Sequence, residues 1–255
     1  MSGQSARVTW RDTEAGAVPV SEVFDDPYYS LNGGAAETEH VFLAGNGLPG
    51  RFRNGFHIAE LGFGTGLNFL CALTAWRAAG VPGRLRFTTF ELHPMAQADR
   101  MRALAAFEGL PVDSLDYADL SAVSGPDFDL RVIAGDVGQT LPIWDGAVDA
   151  WFLDGFSPAK NPAMWTPEVL AAVGARTVPG GSFATYTAAG HVRAALAEAG
   201  FAVTRVPGYG RKRHMSIGTK ADCRLHLEPG RPERLIGFEP EFLGRYPHGN
   251  VRRQG

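Results

Sequence analysis

Two hydrophobic rhythms alternate along the chain from about residue 55 onward. Short apolar runs of strand length are followed by longer segments whose apolar residues recur at helical spacing. The runs His57–Phe63, Leu85–Leu92, Leu130–Ala134, Val148–Leu153, Ser182–Thr187, Phe201–Val206 and His214–Thr219 predict strands. Leu67–Ala79, Pro94–Phe107, Pro167–Val178 and Ala189–Ala199 predict helices, the second with an apolar face at Met95, Ala98, Met101 and Leu104. Gly80 and Pro82 close the first helix, Pro167 opens the third and Gly200 closes the last. Repeated strand–helix units predict an α/β fold: a mostly parallel, doubly wound, seven-stranded sheet with helices on both faces. Residues 1–54 read as an N-terminal arm, irregular over 1–35, with a short helix and the turn-rich Gly45–Gly50 after it. Residues 55–220 read as the main domain, and 221–255, rich in Pro, Gly and Arg, as an irregular tail.

Composition narrows the classes. A chain of 255 residues that is 45% hydrophobic can bury a sizeable core, and 20% charged residues are too few for wholesale disorder. The net charge of −3 argues against a broadly basic nucleic-acid coat but leaves room for a local patch. Two distant cysteines, Cys71 and Cys223, and no H-E-x-x-H point away from a disulfide framework or a zinc or iron site. No apolar run approaches the roughly 20 residues that span a bilayer. With a polar start lacking a signal core, a cytoplasmic location is expected.

The chemistry gathers at predicted strand ends. Glu60-Leu61-Gly62-Phe63-Gly64-Thr65-Gly66 joins the first strand to the first helix, where glycines let the backbone turn sharply and a ligand approach the amides. A dinucleotide fingerprint, G-x-G-x-x-G, would need glycine where Leu67 stands. The E-x-G-x-G-x-G order resembles the first motif of class I, Rossmann-like methyltransferases, whose acidic residue faces the cationic methionine part of the cofactor. Glu91 ends the next strand and suits two ribose hydroxyls, which would equally serve NAD. Asp136 ends the third, where class I methyltransferases place a contact to the adenine amino group. Asp154 ends the fourth, where open α/β sheets place their chemistry.

The segment from Asp149 to Trp165 carries Asp154-Gly155-Phe156-Ser157-Pro158-Ala159-Lys160-Asn161-Pro162-Ala163-Met164-Trp165. It resembles the D-G-F-[AS]-P-x-K-N-P-x-M-W signature of the MnmD-type tRNA methyltransferases, which form the methyltransferase half of the bifunctional MnmC enzymes. Phe24–Ser30, Glu39–Asn46, Gly62–Leu70, Pro179–Gly181, Ala184–Thr187 and Gly208–Met215 resemble further motifs of that family, in order, over roughly residues 18–220. Residues 108–128 match none. No second glycine fingerprint follows residue 220, so a stand-alone form without the FAD-dependent oxidase half is expected.

The resemblance implies N-methylation, by S-adenosyl-L-methionine, of the 5-aminomethyl group of (2-thio)uridine at the tRNA wobble position, with S-adenosyl-L-homocysteine as by-product. It implies the tRNA anticodon stem-loop as partner, with a separate flavin-dependent oxidase or other wobble-uridine enzymes nearby in the sequence of reactions. It places Glu60, Gly62, Phe63, Gly64, Thr65, Gly66, Asn68, Glu91, Asp136 and Asp154 with the cofactor. Phe156, Ser157, Pro158, Lys160, Asn161, Trp165, Arg211, Lys212 and Arg213 fall on the substrate side.

An alkylammonium has no lone pair, and its pKa by analogy with lysine is about 10.4, so the amine must lose a proton before it attacks. Asp154 is the candidate to hold the amine and take that proton. Phe156 and Trp165 are candidates to stack the flipped uracil, against the alternative of core packing. Lys160 and Asn161 are candidates for the base edge or a phosphate, against loop bracing. Arg211-Lys212-Arg213-His214 offers positive charge to anticodon phosphates, against an ordinary solvated strand edge. A methyltransferase acting on a small-molecule amine, and an RNA-binding module without catalysis, remain the alternative functions.

Overall fold

The computed structural model describes residues 5–13, 16–30 and 33–221. The expected tail therefore lies, beyond Ala221, outside the described residues. The arm expected to be irregular instead contains a small antiparallel sheet of β1 (Val8–Thr13), β2 (Gly16–Ser21) and β3 (Asp26–Pro27), in that order. Its strands are short, and only β2 buries apolar side chains in quantity, Val18 and Val20. Between them Pro19 reads as a breaker because it has no N–H for a ladder. Its carbonyl nevertheless accepts from the Tyr28 N–H at 3.0 Å, which draws the chain back across β2. A short α1 (Gly34–Thr38) continues into a π-helical turn over Glu39–Leu43, the helix expected within 36–54.

The main sheet is built from β4 (His57–Leu61), β5 (Leu85–Glu91), β6 (Val123–Ser124), β7 (Phe128–Ala134), β8 (Val148–Leu153), β9 (Thr177–Thr185), β10 (Phe201–Pro207) and β11 (His214–Lys220). Its order is β10-β11-β9-β8-β4-β5-β7-β6. The five strands from β9 through β7 run parallel, while β11, β10 and β6 pair antiparallel with their neighbours. The seven expected strands are all present, and the two-residue β6 adds an eighth at one edge. Helices α2 (Leu67–Ala79), α3 (Gln97–Leu104), α4 (Val137–Ile143), α5 (Pro167–Ala175) and α6 (Gly190–Glu198) complete the fold. Strand β9 starts five residues earlier than expected, through Pro179-Gly180-Gly181. A register shift between Val148 and Ala150 in the β8–β9 pair accommodates the extra residues. Helix α4 was not expected, being about two turns long with Pro142 inside.

Strands β4 and β8 are buried on both faces, as parallel strands under two helical layers are. Ile58, Phe87 and Phe152 pack with Phe69, Leu70, Leu73 and Trp76 of α2 on one face. Ala59, Leu61, Trp151 and Leu153 pack with Val169, Leu170, Phe183 and Leu196 on the other. Side chains alternate along a strand, so Glu60 points to the α2 face, away from Leu61. Strand β4 lies where the order reverses, with β5 on one side and β8 on the other. That arrangement opens a crevice beyond the carboxyl ends of the strands. Among the described residues, no helix is long and apolar enough to cross a membrane.

Candidate active site

A cavity of about 540 Å³ occupies this crevice. Its floor is the glycine loop. Gly62, Gly64 and Gly66 all have left-handed φ, at 85°, 54° and 82°. The loop is knitted to its neighbours: the Gly62 N–H donates to the Phe90 carbonyl (2.9 Å), and the Asp154 N–H to the Leu61 carbonyl (3.2 Å). Glu91, at the end of β5, accepts the Gly64 N–H at 3.0 Å and the His93 N–H at 2.9 Å. It lines the cavity, and burial still holds its pKa above the ordinary carboxylate value despite those donors.

Two carboxylates and one amide form the centre. The Asn68 side chain, in the first turn of α2, donates to Glu60 Oε1 (2.9 Å) and to Asp154 Oδ2 (2.6 Å). The Thr38 hydroxyl donates to Asn68 Oδ1 at 2.6 Å, which fixes the amide's orientation. Desolvation pushes the Asp154 pKa up to about 7; the Asn68 amide opposes the shift, the charge of Glu37 adds to it and that of Lys212 opposes it. Glu60 is fully buried and held well above the ordinary range by desolvation, with Asn68 opposing and Asp154 adding. Glu60 sits behind the wall: Asn68 and Asp154 line the cavity and Glu60 does not. Its Oε2 finds no hydrogen-bond partner among the described residues.

The remaining cofactor-side residues sit around this centre. Phe63, Thr65 and Asn68 line the cavity with Gly62 and Gly64, whereas Gly66 does not line it and turns toward Leu115 and the Phe63 ring. Asp136 stands at its edge, where it caps α4 by accepting the Gly138 N–H at 2.7 Å.

The substrate-side expectations divide. Phe156, Ser157 and Asn161 line the cavity, but Pro158 does not. Phe156 packs between Phe24 (ring centroids 4.8 Å apart) and the edge of Tyr28 (5.3 Å). Trp165 is corrected: only 3% exposed, it lies off the cavity and donates its indole N–H to the Phe156 carbonyl at 2.8 Å. It belongs to the core and cannot stack a base. Trp165→Ala is accordingly expected to lower stability by about 3–5 kcal/mol, read from denaturant unfolding. Lys160 is also redirected. Its ammonium donates to the Asp25 carbonyl and to Asp26 Oδ1 (3.2 Å), tying the signature loop to the N-terminal segment. The Asn161 amide reaches Met164 Sδ at 3.4 Å, in keeping with loop bracing. Arg211 and Lys212 line the cavity, whereas Arg213 is exposed outside it. The Lys212 ammonium pairs with Glu37 Oε1 at 2.8 Å.

Four residues of the site carried no assigned role from sequence: Tyr28, Glu37, Thr38 and Tyr186. Tyr28 lies over the glycine loop, its ring 3.2 Å from where a Cβ on Gly64 would stand. Tyr28 and Tyr186 fall in segments that match family motifs, which was a usable signal. Glu37 and Thr38 had none.

The arrangement suits a cationic ligand beside a nucleophile that must be deprotonated. Acidic side chains gather around the cavity, and Gly62 and Gly64, lining it without side chains, leave room for close approach to the backbone.

Comparisons with known proteins agree. A family model described as S-adenosyl-L-methionine-dependent methyltransferase matches residues 115–221. The chain is 47% identical over 250 residues to the tRNA 5-methylaminomethyl-2-thiouridine biosynthesis bifunctional protein MnmC of Caulobacter vibrioides, covering 92% of this chain and 40% of that protein. It is 41% identical over 254 residues to the protein of the same name from Stutzerimonas stutzeri, covering 91% and 38%. The chain thus spans about two-fifths of the length of these relatives. The crystal structure of MNMC2 from Aquifex aeolicus superposes with a TM-score of 0.66 at 26% identity, covering 85% of this chain and 72% of that one.

Proposed function

We propose, from the premise that the chain belongs to the S-adenosyl-L-methionine-dependent methyltransferase family found in the MnmC proteins, that it N-methylates the 5-aminomethyl group of wobble (2-thio)uridine in tRNA. The observation that carries this reading is Asp154: a carboxylate at the topological switch point, with a pKa near 7, beside the glycine floor. The names of the relatives supply the substrate class.

S-adenosyl-L-methionine, when bound, supplies a methyl group on a cationic sulfur that leaves as a neutral thioether. The glycine loop and Glu91 would hold it, with Glu60 bracing Asn68 from behind the cavity wall. This chain's residues must then present a free amine. Asp154 accepts a hydrogen bond from the incoming ammonium and takes one proton, leaving the nitrogen lone pair to form the new N–C bond. Asn68 keeps one Asp154 oxygen occupied and so directs the other toward the amine. Thr38 locks Asn68 in that orientation. Phe156, flanked by Phe24 and Tyr28, forms an aromatic wall that excludes water and offers a surface to the base. Arg211 and Arg213 lie on the exposed rim, placed for anticodon phosphates. The tRNA is thus met by a local patch on a chain of net charge −3.

The test is methyl transfer from labelled S-adenosyl-L-methionine to tRNA carrying 5-aminomethyluridine, against the same tRNA lacking that amine. Transfer that requires the aminomethyl group is expected. Equal labelling of both tRNAs, or of neither, would refute the reading.

A further inference from the structure

The Glu37–Lys212 pair lies inside the cavity, and its geometry resembles a bound substrate. The Lys212 ammonium stands 3.9 Å from the centroid of the Tyr186 ring and 2.8 Å from Glu37 Oε1. The ring is held in place because the Tyr186 hydroxyl donates to the Gly155 carbonyl at 2.7 Å and its face meets Trp165 nearly edge-on. Glu37 is 13% exposed, so a paired cation offsets much of the cost of burying its carboxylate. Lys212 reaches it from the surface: its side chain is 46% exposed on the turn between β10 and β11, with exposed Arg211 and Arg213 on either side. Both Glu37 and Lys212 act on the charge of Asp154, so this pair and the candidate base share one neighbourhood.

A primary alkylammonium held between a carboxylate and an aromatic face is what a protonated 5-aminomethyl group would also be. We infer that Glu37 and the Tyr186 ring form the seat for the cationic amine of the substrate, and that Lys212 is a resident ammonium which keeps the seat until RNA phosphates draw it outward. This rests on the amine-methylation reading. The exchange keeps a cation on Glu37 until Asp154 takes the amine proton, and methylation of the neutral amine restores the positive charge there. It also makes the seat selective. A tRNA brings phosphates that receive Lys212 beside Arg211 and Arg213, whereas a free aminomethyl nucleoside must displace Lys212 unaided. Lys212 is in this account a specificity-determining residue, and Glu37 and Tyr186 are binding residues.

The test compares wild type, Lys212→Met and the double variant Lys212→Met/Glu37→Gln, with Lys212→Gln as a second form of the lysine change. Binding of free 5-aminomethyluridine is followed by calorimetry, and kcat/KM is measured for the nucleoside and for tRNA bearing it. Removing the resident cation is expected to tighten nucleoside binding by about tenfold and raise its kcat/KM in step, while KM for tRNA rises. Glu37→Gln in the Lys212→Met background is expected to erase the gain. Nucleoside binding that is unchanged in both lysine variants, or a gain that survives Glu37→Gln, would overturn the seat. If the wild type methylates the amine of neither substrate, the amine reading itself fails, and the binding data still judge the seat separately.

Discussion

Asp154→Asn is expected to lower kcat by about 10²–10⁴-fold while S-adenosyl-L-methionine binding, measured by calorimetry, stays close to wild type. Asparagine keeps the oxygen that accepts the Asn68 amide but cannot take a proton. The pH profile sharpens the prediction. With its pKa pushed up to about 7, Asp154 is protonated and idle below that pH. Activity in kcat/KM should therefore rise through about pH 7 in the wild type, and this limb should vanish in the variant. Stability should move in the opposite sense. The folded pKa lies above the unfolded value, so the contribution to folding is present in acid and is lost as pH rises through about 7. Asp154→Asn should melt higher than wild type at pH 8, with the difference closing toward pH 4. An equal melting difference at both pH values would contradict the assigned pKa, and near-normal turnover would contradict the role of base.

Gly62→Ala is expected to have the second largest effect, because one methyl group would disturb both halves of the site. The residue has φ 85°, a region that costs a residue with a Cβ about 1–2 kcal/mol. A Cβ there would stand 2.9 Å from the Asp154 carbonyl oxygen and 3.4 Å from Gly155 Cα. Both are backbone atoms and neither can turn aside, so β4 and β8 must part where the cofactor floor meets the candidate base. Cofactor affinity should fall by about tenfold or more, with kcat falling as well. Gly80→Ala provides the comparison. Its φ of 63° is also left-handed, but nothing lies within 4 Å of the added Cβ. It should lose a similar backbone contribution in thermal unfolding and leave cofactor affinity intact. Equal affinity losses in the two variants would show that backbone strain, not crowding at the strand ends, governs the loop.

Residues that mark their own position were legible in the sequence. Helix α2 and strand β8 were expected at the residues where they occur, because Gly66 and Gly80 bracket the helix and the apolar run Val148–Leu153 is uninterrupted. The positions of the glycine loop and the strand-end carboxylates were legible for the same reason, since they mark strand–helix junctions; Glu91, Asp136 and Asp154 line the cavity, while Glu60 stands behind its wall. The sheet of β1–β3 was not. Its strands are mostly solvated, and Pro19 interrupts the one run that packs. Nor was the direction of side chains within a loop. Phe156 and Trp165 stand in one signature, yet one lines the cavity and the other closes the core beneath it. Lys212 looked like its exposed arginine neighbours, and its contacts with Glu37, 175 residues away in the chain, and with the Tyr186 ring turn it inward. Contacts of that separation leave no local pattern to read.

The central claim is that the methyl group arrives on the exocyclic amine of a wobble uridine. The most direct measurement is nucleoside analysis by mass spectrometry of tRNA carrying 5-aminomethyl-(2-thio)uridine, digested after incubation with the protein and S-adenosyl-L-methionine. The predicted result is conversion of 5-aminomethyl to 5-methylaminomethyl uridine, with no other nucleoside gaining a methyl group. An unchanged aminomethyl nucleoside, or a methyl group found on any other atom of the tRNA, would contradict it.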